Sequence, residues 1–360
     1  MTEARRELLP GLHGLRAAAA MAVFAYHVHT YGFLDVPWFL PWIASHGGLG
    51  VHLFFALSAF SLAWANPDAA RRPGPYLVKR FFRIAPLYWL LIIPVLVFRP
   101  WPGTARVLAE FGFAFNFIPA WAPGLVPAGW TIGVEMPFYL CLPLLLRIRG
   151  IGGMAVAAAL ATLFSGYARI ALTAMFPDSL FPLMSLASNA WVFVVALLAF
   201  RIFERTRGTA GEGRLAMAAA ALALGLIVFI LSPLGRPLVG PGHPDLLLLG
   251  VAFSALCVWQ ALRPSRLMSG RVALWLGERS YSIYLCHIPS IAAVRPAYAW
   301  FLDWFGQGTL AFTLSLLLAL PLVCILAELG YRFVERPGIA LGRRIIRRWA
   351  EPSAPAAARA

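Results

Sequence analysis

Ten stretches of about 17–25 mostly apolar residues follow one another along this chain, the length a helix needs to cross a bilayer. They cover 12–33, 49–66, 84–99, 130–147, 151–170, 184–200, 214–231, 245–262, 280–301 and 309–333. Charged residues make up only 12% of the 360, about half the usual share in a soluble domain. The pattern predicts an all-α, polytopic membrane protein with about ten transmembrane helices. A net charge of +15 could signal nucleic acid, but the basic residues sit in short clusters between apolar runs. With the N-terminus placed inside, 24 of them fall in cytoplasmic segments and five on the other side or the spans leading to it. That asymmetry predicts that both termini are cytoplasmic.

Residues 100–129 fit this alternation only as a loop or re-entrant segment, because one more crossing would invert every later loop. Pro119, Pro123 and Pro127 break the apolar run there, and irregular backbone near a membrane has to be buried in protein or line a cavity. Cys141, Cys257, Cys286 and Cys324 all lie in apolar segments without metal-type spacing, so they read as small buried hydrophobes and no metal is expected. Arg16 interrupts the first apolar run and no small-residue cleavage site follows, so that run is expected to be retained as a span. The chain divides into a membrane domain, 1–340, and a basic, Pro/Ala-rich cytoplasmic tail, 341–360, ending in EPSAPAAARA, which is expected to be disordered. No soluble second domain and no internal repeat are seen.

Ionisable residues inside spans are costly and ask for a functional reason. Arg16 and His27 differ by eleven positions, which on a helix brings them to within about 20° of one face, roughly 16 Å apart along the axis. A histidine near neutral pKa can take the proton of a hydroxyl. In PYLVKRFFRIAPLYWL, 75–90, Lys79, Arg80 and Arg83 are expected at the cytoplasmic mouth of the third span, with Pro86 in its first turn. Arg80 and Arg83, three apart, could clamp a phosphate from one face. Glu135, in GWTIGVEMPFYLCLPLLL, is a carboxylate inside a span that would face Arg16 or His27. In LGERSYSIYLCHIPSI, Ser280, Tyr281 and Tyr284 precede a buried His287. Cys286 points about 100° away from its neighbour His287 and does not form a thiol–base pair with it. In YRFVERPG, Glu335 is expected to neutralise a basic helix end.

In this order, these stretches resemble the acyltransferase-3 family of integral membrane acyltransferases. The family's arginine or lysine, ten residues, then histidine is matched by Arg16 and His27. Its basic R-x-x-R and R-I-x-P-x-Y run resembles Arg80 to Tyr88. Its W-S-L-x-x-E-x-x-F-Y-L stretch resembles Trp130, Thr131, Glu135, Phe138, Tyr139 and Leu140. The S-Y-x-x-Y-L-x-H-x-P run matches Ser280, Tyr281, Tyr284, Leu285, His287 and Pro289, and the closing E-R-P matches Glu335 to Pro337. Three places depart from the pattern: His52 stands where an aspartate is usual, Ala59 where a glycine is, and Met136-Pro137 where Glu-Gln is.

The resemblance implies transfer of an acyl group, most often acetyl from acetyl-CoA, to a hydroxyl of a carbohydrate or glycosylated acceptor, in a bacterial inner membrane. Carried over to this chain, the catalytic group is His27, Glu135 and Arg16. Lys79, Arg80, Arg83 and Tyr88 would bind the acyl-CoA co-substrate. Trp130, Tyr281, Tyr284 and His287 would support the acceptor or the site. A glycolipid or sugar transporter, using the same buried charges without covalent chemistry, is the rival reading.

Overall fold

The structure, a computed structural model, describes residues 8–32, 35, 40, 42, 46–232, 234, 245–306 and 308–350. Among them there are helices and turns and no strand. All ten expected apolar segments are helical. In chain order the longer helices are α1 (Pro10–Gly32), α2 (Gly50–Ala65), α3 (Pro73–Phe98), α4 (Thr104–Phe111), α5 (Trp130–Leu145), α6 (Ile151–Met175) and α7 (Leu186–Thr206). They continue with α8 (Glu212–Leu231), α9 (Asp245–Leu262), α10 (Arg271–Glu278), α11 (Ser280–Phe305), α12 (Thr309–Gly330) and α13 (Arg336–Ala350), the last two joined by a wide π turn, Tyr331–Glu335.

Six helices among the described residues are long and apolar enough to cross a membrane: α2, α3, α6, α7, α8, and α12 with its continuation. The expectation was about ten. α5 and α9 are apolar but shorter, while α1 and α11 are 23 and 26 residues long and carry the arginine and histidines that interest us. The outward faces of the long helices are apolar: Leu160, Leu163, Tyr167 and Ile170 of α6 are all more than half exposed. Such a surface suits lipid rather than water.

α3 begins at Pro73, eleven residues before the expected span. Proline suits the first turn, where its missing N–H would have no partner anyway. Lys79, Arg80 and Arg83 therefore lie within a helix and not at its mouth. Pro86 and Pro94 lie inside the same helix, so Pro86 is not in the first turn. Its ring leaves the Phe82 carbonyl without a helical partner, and Gly338 of α13 packs closely over that carbonyl.

α1 is the axis of the bundle. Leu12, Leu15, Ala19 and Val23 join one apolar cluster with residues of α2, α3, α5, α7 and α9. Ala20, Phe24, Ala25 and Val28 join a second cluster with α11 and α12. Small residues let backbones meet here, as they do between membrane helices in general. A Cβ on Gly14 would run into the Met268 carbonyl, and one on Gly277 would run into the His13 carbonyl.

Residues 112–129 form an ordered, irregular segment with short 3-10 turns at Phe115–Phe117 and Pro119–Trp121. Phe115 and Ala122 are fully buried, and Phe113 and Ala128 adopt positive φ. Side chains supply its polar partners. The Tyr88 hydroxyl donates to Glu110 at 2.6 Å, and the Leu125 amide donates to the other Glu110 oxygen at 2.7 Å. Asn116 donates to the Met184 carbonyl at 2.7 Å. Burial pushes the Glu110 carboxyl above the usual range, and the two donors oppose that shift. At the far end of the bundle, Arg201 donates to the Leu146 and Ile148 carbonyls that follow α5, groups a helix end leaves open. The expected disordered tail, residues 351–360, lies outside the described residues.

Two substitutions test these supports by thermal inactivation in detergent. Gly277→Val should cost about 1–3 kcal/mol or more, the price of overpacking. Glu110→Ala strands a buried hydroxyl and an amide and should cost about 1–3 kcal/mol for each, with Glu110→Gln losing less.

Candidate functional site

Arg16 and His27 share one stripe of α1, but the structure gives them different surroundings. Arg16 lines a narrow cavity with about 50 Å³ of free space, enough for a water or two. Ser58 of α2, Arg80 and Arg83 of α3, Glu135 and Tyr139 of α5, and Ser280, Tyr281 and Tyr284 of α11 also line it. The Ser58 hydroxyl donates to Glu135 Oε1 at 2.6 Å, and the Tyr139 hydroxyl lies beside the same carboxylate. Arg16 and Arg80 are its nearest cationic neighbours. Among the described residues neither arginine makes an ion pair: Arg16 reaches the Leu57 carbonyl at 3.5 Å, and the buried Arg80 Nε has no partner.

Arg83 is engaged differently. Its Nη1 lies 2.7 Å from Glu335 Oε1, whose side chain is fully buried, and Ser282 donates to the other oxygen at 2.9 Å. This agrees with the expectation that Glu335 neutralises a basic group. Arg83 thus has a carboxylate partner that Arg80 lacks, while both line the cavity. Lys79 is not among the cavity residues. Tyr88, expected with the donor, is not either, since its hydroxyl is turned to Glu110. Trp130 stands edge-on to Phe55, with ring centroids 6.0 Å apart, and helps pack the wall. Tyr281 and Tyr284 donate to the Ile84 and Ala128 carbonyls at 2.6 and 3.0 Å, tying α11 to α3 and to the irregular segment.

Glu135 was expected to face Arg16 or His27; Arg16 is the one beside it, and His27 is turned elsewhere. Its actual partners are the Val23 carbonyl, 2.9 Å from Nδ1, and His287 Nε2, 3.0 Å from the same nitrogen. The His27 and His287 rings lie 4.8 Å apart between centroids. A carbonyl only accepts, so Nδ1 of His27 carries the hydrogen and, in the neutral ring, Nε2 carries the lone pair. Among the described residues no group bonds Nε2. Tyr284 separates the two regions: it lines the cavity, and its ring lies 5.5 Å from that of His287.

Sequence reasoning missed Glu110, a lone carboxylate in an apolar stretch, and it did not pair His27 with His287. His52, the departure from the family pattern, donates from Nε2 to Asn189 Oδ1 at 3.1 Å. That direction follows because the Asn189 amide nitrogen is spent on the Leu183 and Ser185 carbonyls. Among the described residues no three His, Cys, Asp or Glu side chains gather as a metal site.

A family model described as an acyltransferase domain matches residues 9–328, the segment that carries every group above except Glu335. The chain belongs to this acyltransferase family. The acyltransferase is 28% identical to the acyltransferase MdmB of Streptomyces mycarofaciens, with 93% of each chain covered. It is 24% identical to the peptidoglycan O-acetyltransferase OatA of Listeria monocytogenes, covering 93% of this chain and 56% of that protein. It is 27% identical to the exopolysaccharide production protein ExoZ of Rhizobium meliloti, covering 82% of this chain and 91% of that one. The chain thus spans little more than half the length of OatA and nearly all of MdmB. No solved structure matches it. Family membership makes the protein an enzyme that transfers acyl groups, which decides against the transporter reading.

Arg83→Ala would leave Glu335 buried without its cation, at a cost of roughly 3 kcal/mol. It should lower the thermal inactivation temperature in detergent, while Arg80→Ala, which breaks no ion pair, should leave that temperature nearly unchanged.

Proposed function

We propose that this acyltransferase moves an acetyl group from acetyl-CoA, or another acyl group from its acyl-CoA, to a carbohydrate hydroxyl, with His27 Nε2 as the general base. The observation that carries this is the unpartnered Nε2 of a histidine whose other nitrogen is tied down by Val23 and His287. The acceptor oxygen attacks the thioester carbonyl as its proton passes to Nε2. The tetrahedral adduct then collapses, the C–S bond breaks, and the CoA thiolate takes the proton back from the imidazolium. The products are an ester and CoA.

Arg16 and Arg80, which have donors to spare, attract the anionic part of the donor toward the cavity, which at about 50 Å³ has to widen to admit it. Glu135, held by Ser58, keeps those two cations in place and does not touch the base. The alternating loop charge puts the Arg16 end of α1 toward the cytoplasm, where acyl-CoA is made, and the His27 end toward the far leaflet of a bacterial inner membrane. The acceptor is a glycan or a glycosylated compound, in line with the peptidoglycan and exopolysaccharide named for two of the relatives.

The test is to reconstitute the full chain in nanodiscs with labelled acetyl-CoA and a panel of peptidoglycan oligomers, exopolysaccharide fragments and glycosylated antibiotics. Mass spectrometry should find one class acetylated. His27→Ala should lower kcat by about 10²–10⁴-fold, and a folded His27→Ala enzyme with full activity would overturn the scheme. Arg80→Ala should raise the KM for acetyl-CoA about tenfold with a smaller change in kcat, since a charge-assisted hydrogen bond contributes about 1.5–3 kcal/mol.

A further inference from the structure

We propose that His287 is a positioning residue that acts through His27, sharing its Nδ1 hydrogen and supporting the ring as it becomes cationic. The inference rests on the reading of His27 as the base. It stands on three features of the geometry. His287 is completely buried, so no water competes for its ring. Its Nδ1 lies against the Tyr284 carbonyl in a short contact, which requires a hydrogen on Nδ1. In the neutral ring Nε2 is then a bare acceptor, and it points at His27 Nδ1 from 3.0 Å.

The two tautomers are therefore assigned by carbonyls at opposite ends of the pair, Val23 on α1 and Tyr284 on α11. Any other assignment of two neutral rings sets a nitrogen lone pair against a carbonyl oxygen. The hydrogen on His27 Nδ1 is shared between the Val23 oxygen and His287 Nε2. Val23 belongs to the same helix as His27 and cannot by itself fix the ring against α11. His287 can, because it reaches across the packed interface from the other side. When Nε2 of His27 takes the acceptor's proton, the Nδ1–H becomes a charge-assisted donor and its bond to His287 strengthens. Among the described residues no carboxylate bonds to either imidazole, so this neutral ring takes the place that a carboxylate holds behind many catalytic histidines.

Magic-angle-spinning NMR of the full chain in nanodiscs, with all histidines labelled with 15N, tests the pair directly. A through-hydrogen-bond coupling between His27 Nδ1 and His287 Nε2 is expected, and its absence would overturn the proposal whatever the enzyme's activity. His27 carrying its hydrogen on Nε2 would sink the reading of His27 as the base through that atom. A His27 with bare Nε2 but no coupling to His287 would sink only the present inference.

Kinetics supply the second arm, using the acceptor that the nanodisc panel identifies. His287→Phe should lower kcat about 10–100-fold, as loss of an orienting partner typically does, with the KM for acetyl-CoA unchanged. His287→Gln, which can keep an acceptor toward His27, should recover most of the loss. In a His27→Ala background, His287→Phe should cost nothing further. Losses that multiply in the double variant would show that His287 acts independently of His27 and overturn the proposal.

Discussion

An ionisable side chain inside an apolar bundle persists only where another group of the protein meets it. Most of the buried charge and ring nitrogen described here obeys that constraint through a contact between distant segments. Glu335 meets Arg83 and Ser282. Glu110 meets Tyr88 and Leu125. Glu135 meets Ser58, and His27 meets His287. Each bond also fixes two elements against one another, so the polar interior is part of what holds the helices in register. Arg16 and Arg80 stand apart, because they line the cavity without an ion pair of their own. Two cations held next to one carboxylate leave an excess of positive charge there.

Hydropathy made the helices legible because burial in lipid asks only for length and apolarity, both of which are local. Loop charge yields an expected orientation from equally local information. The start of α3 was not legible, since Lys79, Arg80 and Arg83 interrupt the apolar residues between Pro73 and Ile84, yet the helix continues through them. The partners of Arg83 and Tyr88 were not legible for a different reason. Both sit in a motif that looks like a donor site, but their partners, Glu335 and Glu110, are chosen by packing. Glu335 lies 252 positions from Arg83, and no periodicity reports such a contact. On paper Glu135 could face Arg16 or His27, and Arg16 is the one beside it. The helix that does reach His27 is α11, and its histidine had been read only as support.

The spacing within the motifs acquires a reason once α1 and α11 are taken together. Ser280, Tyr284 and His287 fall at steps of four and three, which puts them on one stripe of α11. Arg16 and His27 form the matching stripe on α1. The cavity joins the early ends of both stripes, where Arg16 and Ser280 lie, and the imidazole pair joins the later ends. The two helices therefore run in the same sense, as a first and a ninth crossing must if crossings alternate. Adding or removing one residue between Arg16 and His27 would turn one of them by about 100° away from α11. The interval of ten residues is thus a geometric requirement: it is what allows one helix to present a cation to the cavity and a base to His287 at the same time.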